Sequence, residues 1–360
     1  FTSSAQTALP GVATATSDWD PNDANRIIAR APEGSAGAPL DVQHPPTVPL
    51  AEYNARKNAA ASIPATNPIP PRAASSANTV VPRSPLKDQP TLGFEGLVQS
   101  IFRPGSPNAA VGPVDIVEVI NSAIGHFNKS GIVVGTPVSL NTWFQDLFAT
   151  YCPSGSTFLC DVVDPQVRYD QIHGRFLVTA QVRDRSFQSS FFLISVSNGA
   201  TWDGGWKNWA VDATLDGAIK TLNWADFPQV GFDDKAVYLT ALMFSQANLY
   251  QYSKLRIFKK SDLYNPAAKT LPYKDFPQLK HEDGTLASTL QPLHTRGRLA
   301  VGPAPSMIIA ASDVQSADYY TVWTIDDPTA AAPTLTRTTI KNSWHYDFPS
   351  PAPQKGSLVA

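Results

Sequence analysis

The chain is poor in charge, nearly free of sulfur, and has no long apolar run. Lys, Arg, Asp and Glu make up only 16% of its 360 residues, against about 25% in an average globular chain. Ser, Thr, Asn, Gln, Ala and Pro fill the deficit, as on many extracellular surfaces. The net charge is −2 and the basic residues are scattered. With no basic stripe to neutralise phosphates, nucleic-acid binding is excluded. No segment approaches the roughly 18 to 20 apolar residues that span a bilayer as a helix. Gly-x-Ser-x-Gly, His-Glu-x-x-His, P-loop and dinucleotide glycine patterns are all missing. Any active site must therefore be assembled from separated segments.

Only two cysteines occur, Cys152 and Cys160, with seven residues between them. Zinc would need at least two further ligands nearby, and the next histidine is His173. The pair is expected to form a disulfide, the alternative being two reduced thiols. A disulfide implies an oxidising compartment. The chain begins at Phe1, for which a cleaved leader is the expected history. Together these point to a secreted protein: extracellular, periplasmic or held at the cell surface. One glycosylation sequon, Asn128-Lys129-Ser130, is present.

What the chain does have divides it in two. Residues 1–92 hold 14 of the 32 prolines, with runs of Ala, Ser and Thr, and seven acids balance seven bases. Stretches such as Ile63 to Arg72 read as extended, polyproline-like chain. Short helices are expected only at Asp23–Arg30 and Leu50–Ala61. Such an arm has no core of its own and composition alone reads it as disordered. If ordered, it must lie either on its own body or on neighbouring subunits, and the second is the expectation.

Residues 93–360 read as all-β. Four strong strands begin at Val114, Arg175, Ala236 and Ser306, spaced by 61, 61 and 70 residues. Each is followed by another strand ending in a polar turn, at Ile124–Gly131, Phe192–Gly199, Leu255–Ser261 and Thr321–Pro328. Asp164-Pro-Gln-Val is echoed by Asp226-Phe-Pro-Gln-Val, the prolines lying 63 residues apart. A repeat of about 60 residues with four strands is a β-propeller blade. Four blades are expected, with Pro351–Gly356 opening a fifth; the ring is closed either by strands of the proline-rich arm or by residues outside this chain, and the second is the expectation. The strong strands are apolar on both faces, as strands buried between blades must be. Asn141–Tyr151 is expected to be a helix capped by Asn141, between the first two blades.

Val111-Gly-Pro-Val, His126–Gly131, Val138–Trp143, Asp164–Asp170 followed by Arg175-Phe176, Pro228–Gly231 with Tyr238, and Leu290-Gln-Pro-Leu-His294 together resemble a family of secreted, mostly bacterial and mostly uncharacterised β-propeller proteins. The resemblance implies the fold over about residues 95–350 and almost nothing about activity. Ser195–Trp202 also resembles the sialidase-type Asp-box turn, with Ser197 in place of Asp. That motif staples a blade and is not catalytic.

Candidate chemistry is sparse. Asp164 and Asp226 are read as equivalent, just before the first strand of two blades, facing the central channel. Two carboxylates there suit Ca²⁺ or a glycosidase acid pair; the structural alternative is that each caps a turn. Among Trp202, Trp206 and Trp209, Trp206 is the expected exposed platform for a sugar ring. His294 is a candidate base or ligand, as is His345. The expected function is an extracellular structural or binding protein, a propeller whose arm drives homo-oligomerisation or assembly with another extracellular chain. The alternative is a carbohydrate-active enzyme or lectin binding a glycan at the central funnel.

Overall fold

The computed structural model describes residues 5–23, 94–97, 105–121, 123–153, 155, 160–184, 189–294, 306–311 and 317–346. The expected helices at Asp23–Arg30 and Leu50–Ala61 fall outside these residues, Asp23 excepted, as does Pro351–Gly356.

Three short strands open the chain: β1 (Ala5–Thr7), β2 (Leu9–Ala13) and β3 (Ala15–Trp19). Four antiparallel sheets follow. The first holds β4 (Asn108–Val111), β5 (Asp115–Ile120), β6 (Ala123–Asn128) and β7 (Val133–Ser139). The second holds β8 (Cys160–Asp170), β9 (Arg175–Asp184), β10 (Ser190–Ser197) and β11 (Trp206–Asp212). A small ribbon, β12 (Leu215–Asp216) with β13 (Ile219–Lys220), leads to the third sheet. That sheet holds β14 (Trp224–Phe232), β15 (Ala236–Phe244), β16 (Tyr250–Lys259) and β17 (Leu271–Phe276). The fourth holds β18 (Gln291–Pro292), β19 (Ser306–Ala311), β20 (Ala317–Ile325) and β21 (Thr334–Tyr346). Within each sheet the strands pair in chain order. The first strands neighbour one another, β4 against β8, β8 against β14 and β14 against β18. This is a β-propeller. The four strong segments are its second strands, β5, β9, β15 and β19, in corresponding positions, and the segments after them are its third strands.

The core explains why those second strands are apolar on both faces. Successive strand residues point to opposite sides. Phe176, Val178, Ala180 and Val182 of β9 pack toward the first sheet, with Val117, Val119 and Trp143. Leu177 packs toward the third sheet, with Val237, Leu239 and Met243. Ala236 and Tyr238, on the other face of β15, meet Ile308 and Trp323 of the fourth sheet. β9 and β15 thus each serve two interblade layers. Where strands cross closely, glycine is required. A Cβ on Gly231 of β14 would stand 2.5 Å from the Leu293 carbonyl oxygen and 2.7 Å from that of Pro292.

Between the first two blades lies the expected helical stretch, broken into turns at Leu140–Trp143, Gln145–Leu147 and Phe148–Tyr151. Its cap is Ser139, whose hydroxyl accepts from Thr142 N, and not Asn141. The helical phase starts earlier because Ser139 ends β7 and turns extended chain directly into the first turn. The stretch ends at the Cys152–Cys160 disulfide, which is formed. Replacing both cysteines by Ala is expected to lower unfolding free energy by about 2.5 kcal/mol through the freed loop, measurable by denaturant titration.

The arm was expected on neighbouring subunits, but residues 5–19 lie on the chain's own sheets. β1 pairs with β21, β2 with β17 and β3 with β11, all antiparallel. Each arm strand thereby becomes the fifth, outermost strand of a different blade. An exposed edge strand leaves unmet backbone groups, and an added strand satisfies them.

One buried histidine adds pH sensitivity between the first two blades. His126 of β6 stacks on Trp202, with centroids 4.6 Å apart. Its Nε2 stands 3.9 Å from Asp115 Oδ1. Burial holds its pKa below 6.5, outweighing the opposing pull of Asp115 and Asp203. The unfolded state therefore binds more protons in the window below 6.5, and stability falls as pH drops through it. His126→Phe is expected to flatten that loss when denaturant midpoints are compared at about pH 7.5 and pH 5.

Candidate functional site

The inner strands begin irregularly in the same way. Ser106, Asp164 and Phe227 have φ of 46°, 50° and 51°, and each directly precedes a proline, Pro107, Pro165 or Pro228. A non-glycine residue in the left-handed region is uncommon, and a bulky one is an outlier. The residue before proline is ordinarily extended. Pairing slips at the same places, between Val163 and Gln166 in β8 and between Asp226 and Gln229 in β14. After each proline comes an amide. Asn108 Oδ1 accepts from Val167 N at 2.8 Å, tying blade one to blade two. Gln166 Nε2 donates to the Pro228 carbonyl at 3.0 Å, tying blade two to blade three.

These bulges correct the expected equivalence of the two aspartates. Asp164 corresponds to Phe227, immediately before the proline, and Asp226 stands one position earlier. Both lie within their strands. The slipped register nevertheless turns both carboxylates toward one side chain. Gln181 Nε2, on β9, donates to Asp164 Oδ2 and to Asp226 Oδ1, each at 2.7 Å. The two carboxylates are thus within twice that distance of each other. Asp164 is 6% exposed and Asp226 1%. Asp164 also accepts from Ser106 Oγ at 3.2 Å, and its backbone N–H donates to Asn121 Oδ1 at 2.7 Å. Gln181 Oε1 has no hydrogen-bond partner among the described residues.

Arg183, two residues along β9 on the same face, supplies the local positive charge. Its guanidinium lies 4.1 Å from the Trp224 ring centroid. Burial pulls its pKa down, while Asp226, Asp164 and Asp184 oppose that pull. Trp224 heads an aromatic group with Phe244, Phe227 and Tyr250. The site therefore combines a carboxylate pair, a third acid, one cation, an amide acceptor and aromatic rings, at the starting end of the inner strands.

Gln181 also bears on the expectation of Ca²⁺. Its NH₂ group occupies the position between the carboxylates where a cation would sit, so ligation would require the amide to turn its oxygen inward. No group of three or more His, Cys, Asp or Glu arranged to hold a metal occurs among the described residues.

The other candidates lie elsewhere. Trp206 is fully buried and is not an exposed platform. Its Nε1 donates to the Trp202 carbonyl at 3.0 Å, and its ring meets Trp143 and Trp202 edge-on. The Asp203-Gly-Gly turn faces solvent, but β3 covers β11, so the indole points into the interblade core. Trp202 and Trp209 are buried too. His294 stacks on Phe232, centroids 5.6 Å apart. Phe232 ends β14, six residues and about 20 Å of strand from Asp226, so His294 belongs to the opposite rim. His345 is exposed on outer strand β21. Gln181, Arg183, Ser106 and Asn121 were not singled out from sequence. The signal available was the third copy of the X-Pro-amide pattern, Ser106-Pro107-Asn108, beside Asp164-Pro165-Gln166 and Phe227-Pro228-Gln229.

No protein-family model and no curated protein matches the sequence. Among solved structures, the chain is similar to the native arabinanase Arb43A of Bacillus subtilis, with TM-score 0.35 and 11% identity over 65% of this chain and 93% of that one. It is similar to the GH43 endo-arabinanase of Bacillus licheniformis, with TM-score 0.35 and 11% identity over 68% and 74%. It is also similar to the α-L-arabinanase of Penicillium chrysogenum complexed with arabinobiose, with TM-score 0.31 and 12% identity over 63% and 68%. TM-scores of this size transfer neither site nor activity to this chain.

Proposed function

We propose that the chain is a carbohydrate-active propeller of an oxidising, extracellular compartment, working at the starting end of its inner strands. The observation that carries this reading is the Asp164–Gln181–Asp226 arrangement, in which carboxylates of two adjacent blades share one amide donor. Glycan chemistry needs this composition. Carboxylates accept sugar hydroxyls and supply acid and base in glycoside cleavage. Aromatic faces such as Phe227 cover apolar sugar surface. The backbone strain at Ser106, Asp164 and Phe227 supports the assignment, because such strain concentrates at functional sites. With three aspartates around one arginine and a net charge of −2, the preferred ligand is a neutral glycan, since an acidic one is repelled. Asp164 and Asp226 are the acting carboxylates and Gln181 positions them.

The test uses Asp164→Asn and Asp226→Asn, which keep size and an acceptor for Gln181. Each is expected to reduce hydrolysis or binding of neutral polysaccharides at least about 100-fold at temperatures where the variant is still folded, the lost charge beside Arg183 lowering the melting temperature as well. If both variants melt earlier but bind and cleave as the parent does, the cluster only staples blades. That outcome favours the scaffold reading, which the arm supports through its strand pairing.

A further inference from the structure

Residues 5–19 are three strands joined by the single residues Ala8 and Thr14. They run over the edges of blades four, three and two in that order. The attachment is non-covalent and specific. Gln6 Nε2 donates to the Pro277 carbonyl at 2.8 Å, Thr16 Oγ1 to that of Asn208 at 2.8 Å, and Lys207 Nζ pairs with Asp18 at 3.0 Å. Trp19 is 2% exposed and lies 5.0 Å from the Trp143 ring. Register is enforced by fit at Gly11, where a Cβ would fall 2.3 Å from the Tyr273 ring. Surface clefts of about 400, 430 and 500 Å³ border this segment, beside Gln6, Trp19 and Gly11. Seventy residues of sequence separate Asp23 from Phe94, where the described chain resumes. The segment is therefore covalently remote from the edges it covers.

We propose that the outer edges of blades two, three and four are a sequence-specific strand-acceptor surface, and that its partner is residues 5–19 of a second copy of this chain. The ladder bonds and the Gly11, Asp18 and Trp19 contacts are the same whichever copy donates the arm, so exchange conserves every contact described above. This is strand addition to a sheet edge. Reciprocal exchange closes a two-fold dimer, and one-way exchange builds a chain of copies. The inference is independent of the glycan reading.

Ala5 and Thr336 face each other across β1 and β21. One full chain carries Ala5→Cys and another Thr336→Cys, and the two are co-expressed. Under mild oxidation an interchain cross-link is expected, present only in the mixture. Adding Gly11→Leu to the Ala5→Cys chain is expected to reduce its yield more than tenfold. A chain carrying both substitutions reports docking within one copy. If that chain cross-links internally while the mixture gives no interchain product, exchange is refuted. If neither cross-links, the acceptor surface itself is refuted.

Discussion

Asp275→Ala is expected to lower unfolding free energy by about 3 to 5 kcal/mol, among the largest effects of any single substitution in the chain. Arg256 and Asp275 are both fully buried in blade three. The pair is bidentate, Nε to Oδ1 and Nη2 to Oδ2, each at 2.7 Å. Asp275 Oδ2 also accepts from Gly217 N at 2.7 Å. Arg256 donates to the Asp212 and Leu215 carbonyls and lies over the Tyr273 ring at 3.8 Å. Asp275 therefore balances a buried cation and holds the β12–β13 turn onto the blade through Gly217. Lys254, equally buried, is near enough to be repelled by Arg256, and its partner is Asp216 at 2.7 Å. Removing the Asp275 carboxylate leaves Arg256 without its bidentate counter-ion in low dielectric, and the Gly217 N–H without its acceptor. Replacing both members, as Arg256→Met with Asp275→Leu, is expected to cost less than Asp275→Ala alone, because both desolvation penalties disappear together. Denaturant titration of the two single variants and the double variant decides it. A cost below about 1 kcal/mol for Asp275→Ala would mean that water reaches the pair and that this part of the blade is looser than its burial suggests.

Trp19→Ala carries the second large expected effect, a loss of about 3 to 5 kcal/mol. The indole closes the arm against Trp143 and stands opposite Trp206 in the ladder. Two consequences follow from one truncation. The first interblade core gains a cavity, and β3 loses its apolar anchor while keeping its ladder with β11, the Thr16 bond to Asn208 and the Asp18–Lys207 pair. The unfolding midpoint should fall, and limited proteolysis should remove residues 1–23 from the variant well before the parent. A core-only role would shift the midpoint without changing arm cleavage, which separates packing from fastening.

The architecture was legible because its cause repeats. A second strand between two neighbouring blades must be apolar on both faces, as β9 and β15 are, and β5, β9, β15 and β19 recur at near-constant spacing. That pattern is a property of sequence order and needs no contacts to be seen. The disulfide was legible for a similar reason: two cysteines so close in sequence had no competing ligands. The site was legible only in its carboxylates. Asp164 and Asp226 stood out through the Pro-Gln-Val echo, but the inferred equivalence placed them one residue out of phase. A bulge at each proline decides where a side chain points, and a slip of one residue reverses the face. Gln181 and Arg183 sit in a strand that reads simply as buried. Trp206 was misplaced because a glycine turn signals surface, while burial of the next strand depends on the arm arriving from residues 15–19.

The order of hydrophobic strands along the chain was enough to determine the propeller, and the spacing of Cys152 and Cys160 was enough to determine their disulfide. Those features follow from local periodicity and from cysteine chemistry over short separations. Only the tertiary structure decided that Asp164 and Asp226 share one amide, that Trp206 is buried, and that residues 5–19 cap three blade edges. Each of these depends on segments about 20 to 330 residues apart meeting in space, and main-chain pairing at an edge leaves no side-chain pattern by which sequence could announce it.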